Sequence, residues 1–270
     1  MIDIIIYSKN RPLQLYALLE SMYMMTDAKE SADVTVVYKY DDSYLKSIDE
    51  IRAKFNTARF VQQDDFRRDT MTSLITSTNQ YCTFLVDDII FKSGVSFNDI
   101  ENLIASNPDV LTFSMRMGLH LNHCYPTNSH QPIPNGNVIN ELFIWDWTQA
   151  EGDWGYPVSL DGHIFKKSDV LKWASKINFS NPNQFEDYLQ HAFKTDNVGR
   201  HCVCHTNSII VNLPLNRVQD EYKNRCGEMS SEELLAVWND NRKIDTSAIF
   251  KINNTSAHFP MSISLAKRNV

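Results

Sequence analysis

Two aspartates, Asp87 and Asp88, end the apolar run Phe84-Leu85-Val86, and a second apolar run, Ile89-Ile90-Phe91, follows at once. Carboxylates set beside a hydrophobic core are costly unless a positive charge pairs with them. A hard cation such as Mg²⁺ or Mn²⁺ would supply that charge, using one or two carboxylates and completing its shell with phosphate oxygens. The plainer use of the pair is to cap the next turn. A second group, Tyr7-Ser8-Lys9-Asn10-Arg11-Pro12, directly follows the first strand-like run. Ligands of open α/β sheets bind beyond the carboxyl ends of the strands. Lys9 and Arg11 would sit there beside a helix N-terminus, and both features favour a diphosphate. The segment lacks the Gly-rich cradle of a dinucleotide fold or a P-loop, and a solvated basic loop is the competing account.

Two other groupings carry less. In His201-Cys202-Val203-Cys204-His205 the spacing invites a zinc site. On a strand, however, alternate residues face opposite ways, so the cysteines and the histidines diverge, and no partner Cys-x-x-Cys exists to complete a tetrahedral set. Trp145, Trp147, Trp154 and Tyr156 cluster within twelve residues. Sugar rings present apolar C–H faces that suit aromatic planes with polar edges; Trp154 and Asp153 are the acceptor-side candidates, with core packing as the alternative, above all for Trp145. There is no Gly-x-Ser-x-Gly elbow for hydrolase chemistry.

The elements that would position these groups begin with alternating strands and helices. The pattern predicts strands at 2–7, 34–40, 59–62 and 81–86 and helices at 12–25, 44–55 and 69–78, an order that implies right-handed crossovers and a mostly parallel sheet. Further strands are expected at 109–117, 160–166 and 203–211, and helices at 168–176, 182–193 and 231–239. Residues 120–137, rich in Pro, Asn and His, read as a long loop. The fold class is therefore α/β. With 270 residues, 43% hydrophobic and 22% charged, the chain can bury a large core unaided. A net charge of −7 argues against nucleic acid as a partner. Five scattered cysteines do not form a disulfide framework and point to a reducing, cytoplasmic setting. The N-terminal apolar run is too short for a signal peptide, and no segment approaches a membrane span. The sequons at Asn178, Asn253 and Asn254 read as chance matches on this view.

In order along the chain, YSKNRPLQLYALLESM, the strand ending at Asp41-Asp42, FRRDTMTSLITSTNQYCTFLVDDIIF, YPVSLDGHIFKKSDVLKWA and NQFEDYLQHAF resemble the GT-A glycosyltransferases, particularly the inverting family 2 group. The resemblance spans about residues 1–215. It implies a single GT-A (Rossmann-like) domain, a central mostly parallel sheet flanked by helices, with a nucleotide-sugar-binding half at 1–118 and an acceptor-binding half with a C-terminal extension at 119–270. It implies a Mn²⁺- or Mg²⁺-dependent transfer from a nucleotide-diphosphate sugar, a UDP-sugar foremost, to a glycan or glycoconjugate hydroxyl. Tyr7, Lys9 and Arg11 would line the nucleotide and its phosphates, Asp41 would touch the base or ribose, and Arg67 and Asp69 would lie near the ribose or donor sugar. Asp87 and Asp88 would hold metal and ribose, and His258 would be a third metal ligand. Asp187, or its neighbour Glu186, would be the general base, in the first turn of a helix starting near Pro182. Asp153, Trp154 and Asp161 would face the acceptor. Where the family has Asp-x-Asp this chain has Asp87-Asp88-Ile89, and where many relatives have Gly-Gly it has Asp161-Gly162. It carries no Gln-x-x-Arg-Trp signature of processive synthases. A retaining transferase, a sugar-1-phosphate nucleotidyltransferase and a noncatalytic nucleotide- or glycan-binding protein are the rival readings; the missing early Gly-x-Gly-x-Arg loop counts against the nucleotidyltransferase.

Overall fold

The run Ile2–Lys9 forms strand β1, with every residue but Lys9 buried. A strand covered on both faces has no solvent side, so its apolar residues run on without alternation. Pro12 then opens helix α1 (Pro12–Met25) in its first turn, where proline's missing N–H removes no helical bond. The short α2 (Ala28–Ser31), β2 (Ala32–Lys39), α3 (Leu45–Lys54), β3 (Arg59–Gln62), α4 (Phe66–Ile75) and β4 (Tyr81–Val86) complete an alternating first section. The computed structural model describes residues 1–196, 199–218, 226–250 and 252–268.

Beyond β4 come β5 (Ile89–Phe91), α5 (Phe97–Ser106), β6 (Val110–Ser114), β7 (His123–Cys124), β8 (Ser129–His130), β9 (Gly136–Ile139), β10 (Leu142–Asp146) and β11 (His163–Lys166). They are followed by α6 (Lys167–Ala174), α7 (Pro182–Lys194), β12 (His201–His205), β13 (Ile210–Asn212), α8 (Ser231–Asn239), β14 (Arg242–Ile244) and β15 (Leu265–Lys267). One nine-stranded sheet runs β3-β2-β1-β4-β11-β6-β12-β10-β9. Its strands all point one way except β11 and β10, which pair antiparallel to their neighbours. The mostly parallel α/β architecture expected from the sequence is thus present. Helices cover both faces. Residues of α1, α3, α5 and α8 pack with one side of β1 and β2, while α4, α6 and α7 pack on the other around Phe84, Trp173 and Phe185. A third, smaller core holds Phe143, Trp145 and Trp154.

Several boundaries differ from expectation for local reasons. Helix α4 begins at Phe66, three residues early, because the Asp65 side chain accepts from Arg68 N and caps it. The strand expected at 203–211 is two strands, β12 and β13, the second pairing with β5 rather than with the main sheet. The strand expected from 160 starts at His163, since Gly162 has φ 76°, a left-handed conformation suited to glycine. Helix α5 was not anticipated; Ser96 caps it by accepting from Asp99 N, and Asp27 accepts from Phe97 N at 2.7 Å. The supposed loop at 120–137 contains the β7–β8 hairpin.

Candidate active site

The carboxyl ends of β1, β4 and β6, the loop before β11 and one face of α7 enclose a cavity of about 500 Å³. Its wall includes Arg11, Asp88, Arg116, Asp161, Glu186 and Asp187. Two buried arginines organise it.

Arg11 lies two residues past β1. Asn10, at φ 52°, makes the turn that reaches it, and the Asn10 amide binds Asp41 at 2.6 Å. The Arg11 Nη1 donates to Asp87 at 2.9 Å and lies 3.6 Å from Asp88, while Nη2 donates to the Asn216 carbonyl. Asp87 accepts in addition from Ser8 Oγ at 2.9 Å and from Lys9 N at 3.2 Å. Asp88 accepts from Asn212 Nδ2 at 3.2 Å. Burial pushes the Asp88 carboxyl up to about 7; Arg11 opposes the shift, and the Asp87 and Asp161 carboxylates add to it. One guanidinium therefore faces two carboxylates, and Asp88 is the undercompensated member.

Arg116 follows β6. Its Nη2 donates to Asp153 at 3.0 Å, and its Nη1 donates to Ser159 Oγ at 2.9 Å and lies 3.5 Å from Asp161. Ser159 Oγ is 3.1 Å from Glu186 Oε2, which also accepts from Leu160 N at 2.6 Å. Burial, with the Asp161 carboxylate adding, raises the Glu186 carboxyl to about 7. His163 is buried between Ser114 Oγ and the Pro157 carbonyl, both at 2.8 Å, and burial, reinforced by Arg116, lowers it to about 3. It is a neutral tether for the loop that carries Asp161.

The structure brings together only part of the expected set. Lys9 is exposed, and its Nζ reaches the Val218 carbonyl at 3.4 Å. Asp41 is exposed beside Asn10. Tyr7 is a core residue instead of a nucleotide contact: its ring packs on Phe66 and Phe84, and its hydroxyl pairs with Thr70 at 3.2 Å. Arg67 binds the Ile177 carbonyl at 3.1 Å, and Asp69 accepts from Asp64 N and Asp65 N at the start of α4, so both serve local structure outside the cavity wall. Asp87 accepts from three donors, Ser8 Oγ, Lys9 N and Arg11 Nη1, and does not line the cavity. Among the described residues, no three His, Cys, Asp or Glu side chains converge as a ready cage. His258 does line the cavity: its Nε2 is 3.5 Å from Asp161, its ring stacks on Tyr125, and its buried Nδ1 has no hydrogen-bond partner. Burial, then Arg116, lowers its pKa and keeps it neutral.

Of the residues expected to face an acceptor, Asp153 and Asp161 line the cavity, but Trp154 does not. It is fully buried, edge-on to Trp145, and donates from its indole to the Leu121 carbonyl. The exposed edge a sugar would need is absent; Tyr156 reaches the cavity instead. Glu186 and Asp187 both line the cavity, in the second turn of α7 and not the first, so the helix dipole, which fades within a turn, does little for either. Asp187 is 46% exposed, with His191 3.8 Å away. Asn212, Asn216 and His258, all beyond residue 118, line the same cavity as Asp88. Cys202 and Cys204 are buried while His201 is exposed, the alternation read from the strand pattern. Arg116 and Ser159 were missed. The one available signal was a charge inside Ser114-Met115-Arg116-Met117, where a buried strand end demands partners.

Carboxylates and arginines thus stand at the strand ends of a mostly parallel sheet, faced by a helix bearing further carboxylates. No protein-family model matches the chain. Over 96% of its length it is 24% identical to the bifunctional glycosyltransferase pgtA of Dictyostelium discoideum, and it spans 38% of that protein's length. Among solved structures it is similar to S. aureus TarS 1–349, free and in complex with UDP, each at a TM-score of 0.50 and 17% identity over 77% of this chain and 59% of that one. The fold expected from the sequence motifs is therefore shared with a structure known by experiment. No described helix is long and apolar enough to cross a membrane.

Proposed function

We propose that the chain transfers a sugar from a nucleotide-diphosphate donor, a UDP-sugar foremost, to a glycan or glycoconjugate hydroxyl with inversion. The carrying observation is that Arg11 and Asp88 from the strand ends and Asp187 from α7 meet in one cavity of about 500 Å³. The glycosyltransferase similarity along nearly the whole chain and the UDP complex of TarS 1–349 support the donor class. A cytoplasmic site of action goes with this reading, as four of the five cysteines are buried free thiols.

Arg11, which lines the cavity, would neutralise the diphosphate. Asp88 and His258 both line the cavity and are the residues that would hold a Mg²⁺ or Mn²⁺ ion, because Asp88 lacks full compensation and the His258 Nδ1 is buried without a hydrogen-bond partner. Phosphate oxygens and water would complete its shell. Such an ion, when bound, stabilises charge growing on the leaving diphosphate. The acceptor oxygen bonds to the anomeric carbon as the carbon–phosphate-oxygen bond breaks; the electron pair leaves on the diphosphate and the hydroxyl proton passes to Asp187. Asp187 suits this role better than Glu186, whose Oε2 is occupied by two donors.

Thermal shift with a series of nucleotide sugars, with and without Mn²⁺, tests the reading, because a ligand that binds only the native state raises apparent stability. A UDP-sugar with Mn²⁺ should raise the Tm, and Asp88→Asn should lose the metal-dependent part. No shift with any nucleotide sugar, together with no nucleoside diphosphate released under turnover, would exclude the function.

A further inference from the structure

The acceptor-side arginine touches no group that reacts, yet its hydrogen bonds determine the state of one that lies beside the base. Ser159 Oγ has one hydrogen and two lone pairs. Both lone pairs are taken: Arg116 Nη1 donates at 2.9 Å and Asp161 N at 3.1 Å. The only hydrogen left must point at Glu186 Oε2, 3.1 Å away. Ser159 is fully buried, so no water competes for that geometry. The same guanidinium holds Asp153 and Asp161, and Asp153 is gripped again through its backbone N, which donates to Gln131 Oε1 at 2.8 Å. Arg116 thereby ties the end of β6, the turn at 152–155, the loop before β11 and α7 into one polar unit.

We propose that Arg116 is a positioning residue for transfer: by forcing Ser159 to donate to Glu186, it fixes that carboxylate, and so holds the neighbouring Asp187 and the Asp153–Asp161 wall in register with the acceptor. The proposal rests on the transferase reading above. The charged and titratable groups around Glu186 are Arg116 from the end of β6, Asp161 from the loop before β11, Tyr156 from the preceding turn and Asp187 on its own helix. Burial and Asp161 favour the protonated form, while Leu160 N, Arg116 and Ser159 favour the ionised one. Removing the latter two contributions moves the carboxyl further above about 7, so the protonated form gains at neutral and mildly acidic pH.

Ser159→Ala is the sharper variant, because it deletes the relay and leaves both Arg116 ion pairs standing. Arg116→Lys keeps the charge and loses the fork. The Glu186 carboxyl is followed by ¹³C NMR against pH in wild type and both variants, alongside transfer kinetics. The titration midpoint of Glu186 should move to higher pH in both. Transfer at pH 6 should fall by about tenfold, the change that a one-unit displacement produces, with little loss at pH 8.5 and a donor KM within about twofold. Ser159→Thr, which keeps the hydroxyl, should restore the profile. An unmoved Glu186 midpoint in Ser159→Ala, or a loss of kcat equal at every pH with a lowered Tm, would overturn the proposal in favour of a merely structural arginine. A moved Glu186 midpoint in Ser159→Ala, with a wild type that transfers no sugar, would uphold the relay and strike the transferase reading, so the two failures are distinct.

Discussion

Each side of the cavity is built around one buried arginine and two aspartates, and the two sides differ in how much that arginine has left over. Arg11 serves Asp87 and Asp88, which are adjacent in sequence, and leaves Asp88 raised to about 7 and open to the cavity. Arg116 serves Asp153 and Asp161 and then reaches a serine that governs a third carboxylate. The Arg11 side is arranged to receive a cation or a proton; the Arg116 side is closed upon itself and supplies shape. The difference predicts which side tolerates loss of its arginine. Breaking a buried pair by removing one partner costs about 3–5 kcal/mol, because the remaining charge stays buried. Arg11→Met should lose that amount in urea unfolding, and Arg11→Met with Asp87→Asn should regain much of it. Mn²⁺ should also recover stability in Arg11→Met, by taking over the cavity-facing Asp88. For Arg116→Met the same ion should give no recovery, since Asp153 and Asp161 are already tied into the wall. Equal rescue on both sides would break the distinction.

The second contrast lies within one turn of α7. Glu186 is partly buried and bonded to Ser159 and Leu160, whereas Asp187 is nearly half exposed. General-base catalysis is worth about 10²–10⁴-fold. Asp187→Asn should lower kcat by about 10²-fold or more at an unchanged Tm and donor affinity. Glu186→Gln should keep an acceptor for Leu160 N but hold the side chain neutral, so it should lose about tenfold or more at pH 8.5 and flatten the low-pH limb. Near-wild-type turnover in Asp187→Asn with a collapse in Glu186→Gln would reassign the base.

How much of this was readable follows from where the partners sit along the chain. The first sheet section was legible because its strands are all-apolar runs between helices with clear periodicity; β3, β4 and α1 begin and end where the pattern says. Asp87 and Asp88 stood out for the same reason, as charges where a buried strand stops. What the pattern could not show was that Arg11 would pair with Asp87, because that pairing depends on the left-handed turn at Asn10. Tyr7 and Trp154 were misplaced because an aromatic near a motif looks the same whether it faces a ligand or a core; only burial separates them. The Arg116 cluster was invisible, since its members at 116, 153, 159, 161 and 186 meet through a sheet order in which β11 inserts between β4 and β6. Helix α5 was missed although its cap, Ser96, precedes a strongly amphipathic stretch.

Trp154 offers the smallest effect and the finest test of what the acceptor side is made of. If the cluster of tryptophans were a sugar platform, trimming Trp154 would weaken the acceptor. In the structure its ring lies 4.9 Å from that of Trp145 at nearly a right angle, and its indole N–H reaches the Leu121 carbonyl at 3.3 Å. The adjacent Asp153 contributes the side chain that faces the cavity. Trp154→Phe keeps an aromatic in the core but deletes one hydrogen bond, leaves the Leu121 carbonyl without that donor and opens a small void. An unmade buried hydrogen bond costs about 1–3 kcal/mol, and in a chain of this size each kcal/mol lowers the Tm by about 2–4 °C. The variant should therefore melt a few degrees lower while its acceptor KM stays within about twofold. Tyr156→Phe, whose hydroxyl lies near Glu186, should do the reverse, with little loss of Tm and a measurable change in the acceptor-dependent rate. A large rise in acceptor KM for Trp154→Phe at an unaltered Tm would return that residue to the binding surface and show that the acceptor wall opens further than the packed structure describes.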